Sequence, residues 1–119
     1  MSGGELRAYC LDFPATTEEY PFGTNPNLCT FKVEGKVFVF CVLTAPTPLE
    51  LGLKCDPQIA LALRSAYPAI VPGWHLNKRH WNTVTLDGTI ADELVREMIQ
   101  DSFDLVVDTL PKHQRLRLR

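Results

Sequence analysis

The stretch from Thr89 to Pro111 limits the possible folds more than any other part of the chain. From Ile90 onward, Leu94, Met98, Ile99, Phe103, Val106 and Leu110 recur at helical period, and Asp92, Glu93, Glu97, Asp101, Asp104 and Asp108 fall between them. No Gly or Pro interrupts the run, Thr89-Ile90-Ala91-Asp92 reads as a capping-box variant, and Pro111 ends it. The spacing predicts a helix over about 90–110. A helix with one apolar stripe and one acidic side must bury the stripe against another layer. Five segments of the preceding chain read as β-strands, so that layer is a sheet.

The strands follow from alternation. Cys29, Phe31 and Val33 fall on one side of an extended segment from Leu28 to Glu34, with Thr30, Lys32 and Glu34 on the other. Gly35-Lys36 reads as a tight turn, and Val37 to Leu43 as the returning strand of a hairpin. Ala45-Pro46-Thr47-Pro48 breaks the chain before a third strand from Glu50 to Cys55. Asp56-Pro57 then starts a helix, because Asp accepts from exposed amides at the N-cap and Pro lacks the amide hydrogen that would be unpaired there. This helix runs to about Tyr67 with Ile59, Ala62, Leu63, Ala66 and Tyr67 inward, and Pro68 stops it. Ile70 to His75 and Trp81 to Leu86 read as two more strands, with Asp87-Gly88 a turn. Residues 4–14 suggest a short amphipathic helix on Leu6, Tyr9, Cys10 and Phe13, ended by Pro14. Residues 14–27 read as an ordered connection. The order is α-β-β-β-α-β-β-α, an α+β two-layer domain with a mainly antiparallel sheet and helices packed on it.

The length of 119 residues fits one domain, taken as 1–111, followed by a basic C-terminal tail at 112–119 that is expected to fray. No apolar run is long enough to span a bilayer, and Met1-Ser2-Gly3-Gly4-Glu5 does not look like a signal peptide, so the expectation is a cytoplasmic protein without membrane attachment, with a monomer favoured. In that compartment Cys10, Cys29, Cys41 and Cys55 read as reduced, buried small hydrophobes.

The formal net charge is −2, but it is uneven. Residues 111–119 hold Lys112, Arg115, Arg117 and Arg119 and no acid, whereas the long helix is acidic. Residues 20–82 hold six cations, Lys32, Lys36, Lys54, Arg64, Lys78 and Arg79, against Glu34, Glu50 and Asp56. A local basic face is therefore compatible with an acidic total.

Motifs for chemistry are sparse. There is no Gly-rich phosphate loop, no Gly-x-Ser-x-Gly elbow and no His-Glu-x-x-His. His75 and His80 are five apart, which fits neither one helix face nor one strand face, and His113 lies in the tail. The expectation is a protein that is not an enzyme and takes no metal or cofactor. The acids of the long helix read as a solvated face. What does accumulate is recognition chemistry: Gly73-Trp74-His75-Leu76-Asn77-Lys78-Arg79-His80-Trp81-Asn82 holds two Trp, two His, two Asn and two cations in ten residues. Lys78 and Arg79 fall in a connection and are expected to be exposed, while one Trp, most naturally Trp81 at a strand start, packs against the sheet.

Several elements resemble a known family. They are Tyr20-Pro21-Phe22-Gly23, Phe31-Lys32-Val33 with Gly35-Lys36, Leu53-Lys54-Cys55-Asp56-Pro57, Tyr67-Pro68 with Pro72-Gly73, and His75 through Val84 before Asp87-Gly88. Over about residues 5–111 the chain is similar to the MmcQ/YjbR family of small bacterial proteins. The resemblance implies a CyaY-like fold and DNA binding in a double-wing mode, with the wings on the Lys32–Lys36 hairpin and the His75–Trp81 connection. It brings no catalytic residues, and the likeness of fold to frataxin does not bring iron binding. The expected contacts with double-stranded DNA are Lys32, Lys36, Lys54, His75, Asn77, Lys78, Arg79 and His80. The alternative is a non-catalytic module for a small anionic ligand or a protein partner, using a pocket lined by Lys54, His80 and Trp81.

Overall fold

A computed structural model describes residues 1–21, 27–42, 48–73 and 76–118. The chain order is α1 (Gly3–Leu11), β1 (Thr16–Glu19), β2 (Leu28–Val33), β3 (Lys36–Val42), β4 (Glu50–Lys54), α2 (Pro57–Ala66), β5 (Ile70–Pro72), β6 (Trp81–Thr85), α3 (Asp92–Val107) and α4 (Lys112–Leu118). The strands form one six-stranded sheet in the order β1-β2-β3-β4-β6-β5, and every neighbouring pair is antiparallel.

Register explains the core. Phe31, Val39, Leu53 and Asn82 lie opposite one another in one row, and Cys29, Cys41, Leu51, Val84 and Ile70 in a row of the same parity. Side chains two apart share a face, so both rows point to the side where the helices lie. Phe13 before β1, Phe38 and Phe103 of α3 meet there, with centroids 4.6 Å apart for Phe13–Phe103 and 5.2 Å for Phe38–Phe103. The α3 stripe is buried at Val95, Met98, Ile99, Ser102, Phe103, Val106 and Val107, as its period requires.

Local chemistry sets the ends. Ser2 and Glu5 form a reciprocal capping box at α1, and Asp56 accepts from the amides of Gln58 and Ile59 at α2. The β2–β3 turn is Glu34-Gly35, with φ of 49° and 81°, the mirror-image geometry that suits a two-residue hairpin. The turn thus lies one residue earlier than Gly35-Lys36.

Five other expectations need correction. Residues 16–19, read as connection, form edge strand β1, because Thr16 to Glu19 pair with Val33 to Thr30. The helix at α1 ends at Leu11, before Pro14. The α3 helix begins at Asp92 after an Ala91 cap without a side-chain bond; the side chain of Asp87 instead closes a turn on the amide and hydroxyl of Thr89. On α2, Ile59 and Leu61 are 52 % and 63 % exposed and Ala62 and Ala66 face solvent, because the packed stripe is Ala60, Leu63, Arg64 and Tyr67. Residues 112–118, expected to fray, are helical, and Arg117 reaches Glu34 at 3.4 Å.

Candidate functional site

The antiparallel ladder brings the two expected loops to one end of the sheet. β2 runs toward Val33 and turns at Glu34-Gly35 into β3, while β4 runs in the same sense as β2 and ends at Lys54. Lys54 pairs with Trp81, where β6 begins, so the 76–80 segment lies at that end too. Lys54 therefore stands between the two loops. The end of α3 joins them, because Lys36 Nζ donates to Thr109 Oγ1 at 3.2 Å and to the Thr109 carbonyl at 3.5 Å.

Lys54 is set in place by Ser102. A bulge at Phe38 shifts the β2–β3 register between Phe31 and Lys32. The β3–β4 pairing stops at Val39 and Leu53. Beyond it the Ser102 hydroxyl bridges the two strands: it donates to the Phe38 carbonyl at 2.7 Å and accepts from the Lys54 amide at 2.9 Å.

The 76–81 segment is organised from outside itself. The Arg64 guanidinium on α2 donates through Nε to Asn82 Oδ1 at 2.7 Å, and through Nη2 to the carbonyls of Lys78 and Trp81. Lys78 Nζ donates to the Gly73 carbonyl at 2.9 Å, which closes the connection on itself. Asn77 accepts at Oδ1 from the Arg79 amide, and its carbonyl accepts from the amides of His80 and Trp81. The His80 carbonyl accepts from the Cys55 amide at 2.8 Å. Trp81 is half-buried and meets Phe40 edge-on at 5.5 Å, on the sheet face opposite the α3 layer. Leu76 lies over Gly52 and Phe40 on that face, and a Cβ on Gly52 would stand 3.2 Å from Leu76 Cδ1.

These contacts divide the expected cations. Lys32 pairs with Glu19 at 2.6 Å, Lys36 is held by Thr109, and Lys78 serves the Gly73 carbonyl, so their charges are partly spent inside the molecule. Arg79 and Asn77 are exposed, and Lys54 and His80 are half-buried. Lys54 and Arg79 have no carboxylate partner among the described residues. His75 lies outside the described residues, as does Trp74. Two residues missing from the expected set belong to the site. Arg64 positions the loop, and its signal is a lone cation on the buried stripe of an otherwise uncharged helix. Arg117 brings the basic α4 to the first hairpin.

Among the described residues no group of three or more His, Cys, Asp or Glu side chains is arranged to hold a metal ion. Among the described residues no helix is long and apolar enough to cross a membrane.

Known proteins match this arrangement along most of its length. A family model described as YjbR matches residues 11–105. The chain is 39 % identical to YbdF of Escherichia coli O157:H7 over 109 residues, covering 92 % of this chain and 87 % of that protein. It is 31 % identical to YjbR of Escherichia coli K12 over 115 residues, covering 97 % and 95 %. Among solved structures, Deinococcus radiodurans protein DR2400 superposes with a TM-score of 0.88 at 39 % identity, covering 97 % of this chain and 86 % of that one. A Pseudomonas syringae protein superposes with a TM-score of 0.77 at 25 % identity, covering 88 % and 98 %. With its antiparallel sheet, its helical layer and these relatives, the chain belongs to the YjbR family.

Proposed function

We propose that this protein is a non-catalytic DNA-binding protein that meets the duplex with the sheet end carrying Glu34–Lys36 and Leu76–His80. The observation that supports this reading is the convergence of both loops at one end, with Lys54 between them. The two hairpins are three strand spacings apart, or about 14 Å at their roots. That spacing is comparable to the ~12 Å width of the major groove, so the tips can reach the phosphate strands on either side of one groove. Arg79 and Lys54 supply the phosphate contacts, and Asn77 and His80 the polar contacts beside them. Lys32, Lys36 and Lys78 hold the wings in shape and add a background field. The acidic side of α3 repels DNA from the rest of the surface and so orients the encounter.

The test is a fluorescence anisotropy titration of the protein with a labelled duplex at low salt. Binding weakens with salt, and Lys54→Glu with Arg79→Glu lowers the slope of log affinity against log salt by about 2. No duplex affinity at low salt, or affinity unchanged in the double variant, ends this reading.

The contact of Trp81 with Phe40, beside its cross-strand neighbour Lys54, favours a second reading. An aromatic pair flanked by a cation suits a small anionic ligand or a protein partner rather than a duplex. Thermal-shift measurements with nucleotides and organic acids separate the two. A ligand whose stabilisation vanishes in Trp81→Leu supports the second reading.

A further inference from the structure

We propose that Asn82, Asp101 and the small cavity between them form a binding site for a single water molecule, which links the loop-holding Arg64 network to α3. This site does not depend on what the protein binds at its surface.

Asn82 lies on the helix-facing side of β6 and is 2 % exposed. Its Oδ1 accepts from Arg64 Nε at 2.7 Å. A guanidinium has only donors, so turning the amide over would set donor against donor, and the orientation is fixed. Nδ2 is therefore the free end, and it has no hydrogen-bond partner among the described residues. A buried amide donor left unpaired is costly, and natural folds satisfy such groups by protein or by water.

Asn82 lines a cavity of about 20 Å³ together with Leu53, Leu63, Val84 and Met98 as apolar walls and with Lys54, Cys55 and Asp101. One water needs roughly 10–15 Å³ of such volume and at least two polar partners. The cavity meets the first requirement. Nδ2 as donor and the carboxylate of Asp101, on the lining of the same cavity, as acceptor are the two partners assigned to the water. Desolvation pushes the Asp101 carboxyl above the usual range, with Asp104 and Glu97 adding to the effect. The result is a chain of polar groups that runs from the carbonyls of Lys78 and Trp81 through Arg64, Asn82 and the water to α3.

The experiment is water-selective NOE and ROE spectroscopy on the ¹⁵N-labelled protein, read at the Asn82 side-chain amide. The native protein gives a cross-peak with the sign of a long-lived bound water. Asp101→Leu removes the second partner and loses the cross-peak, whereas Asp101→Asn keeps an acceptor and retains it. Asp101 is exposed enough for both variants to fold. No cross-peak in the native protein, or one that persists unchanged in Asp101→Leu, overturns the proposal. A crystal structure with no density about 3 Å from Nδ2 overturns it independently.

Discussion

Arg64 on α2 donates to Asn82 on β6 at 2.7 Å, and this bond ties a surface helix to the strand that starts at the candidate site. The same guanidinium holds the carbonyls of Lys78 and Trp81. Loops that recognise ligands gain from fixed geometry, because ordering on binding costs free energy. Here the order comes from a neighbouring helix, while the exposed Asn77 and Arg79 are left to face solvent.

Replacing Arg64 with Ala removes three acceptor contacts at once and leaves the buried Asn82 carbonyl unpaired. The expected loss of stability is about 1–3 kcal/mol by urea unfolding. Hydrogen exchange at the amides of His80 and Trp81, both bonded to the Asn77 carbonyl, should accelerate more than exchange in β2 and β3. Arg64→Lys should restore only part of the stability, because an ammonium cannot span the same fork of acceptors. Equal acceleration throughout the sheet would show that Arg64 supports the whole fold rather than the loop.

Gly73 offers a steric test of the same region. A Cβ there would stand 2.9 Å from Trp81 Cβ and 3.0 Å from the Trp81 carbonyl oxygen. Because one of these neighbours is backbone, Gly73→Ala must push β5 and β6 apart at their ends. The expected cost is about 1–3 kcal/mol, with a shifted Trp81 indole resonance. A variant with native stability and an unmoved indole would contradict this packing.

The elements that were legible in the sequence are those decided by local chemistry. The α3 stripe, the Leu28–Val42 hairpin and the Asp56-Pro57 helix start all depend on residues within a few positions of one another. Edge strand β1 was not legible, because its four residues are strand only through pairing with β2, and the turn into it runs through Ala15 at a φ of 52°. The candidate site divides in the same way. The position of Lys36 at a hairpin could be read from Gly35, but its bond to Thr109, 73 residues away, could not. Lys32 and Lys78 likewise looked like free charge until Glu19 and the Gly73 carbonyl were brought to them. Sequence reveals a charge; its partner is set by the fold.

Ser102 provides a prediction in which a small side chain has a large role. Its hydroxyl bridges the Phe38 carbonyl and the Lys54 amide just beyond the Val39–Leu53 end of the β3–β4 ladder. Ser102→Ala leaves a donor and an acceptor without this bridge, at a cost of about 1–3 kcal/mol. Ser102→Thr keeps the hydroxyl but adds a methyl to a fully buried position, so it should rescue only partly. A calorimetric comparison of melting temperatures tests both. An alanine variant as stable as the native protein would mean that the two strands re-pair without the bridge.

The thiols predict how stability responds to alkali. Burial pushes Cys10 and Cys41 up to about 12 and Cys29 up to about 11, from a starting value of 9.0, and Glu18 adds to the effect at Cys29. In the unfolded chain these thiols lose protons near pH 9, whereas in the folded chain they keep them. The folded state therefore binds more protons above pH 9, and stability falls as pH rises toward the folded values. Each fully ionised thiol weakens folding by about 1.4 kcal/mol per pH unit in that window, for the deeply buried Cys10 and Cys41. Urea midpoints should fall from about pH 9 upward, and Cys10→Ala with Cys41→Ala should flatten the fall, although the double variant starts from lower stability. The same burial keeps the thiolate fraction small, so alkylation of the native protein at neutral pH should be slow and should accelerate only with unfolding. Rapid native-state modification of Cys10 or Cys41 would contradict the closed core described here.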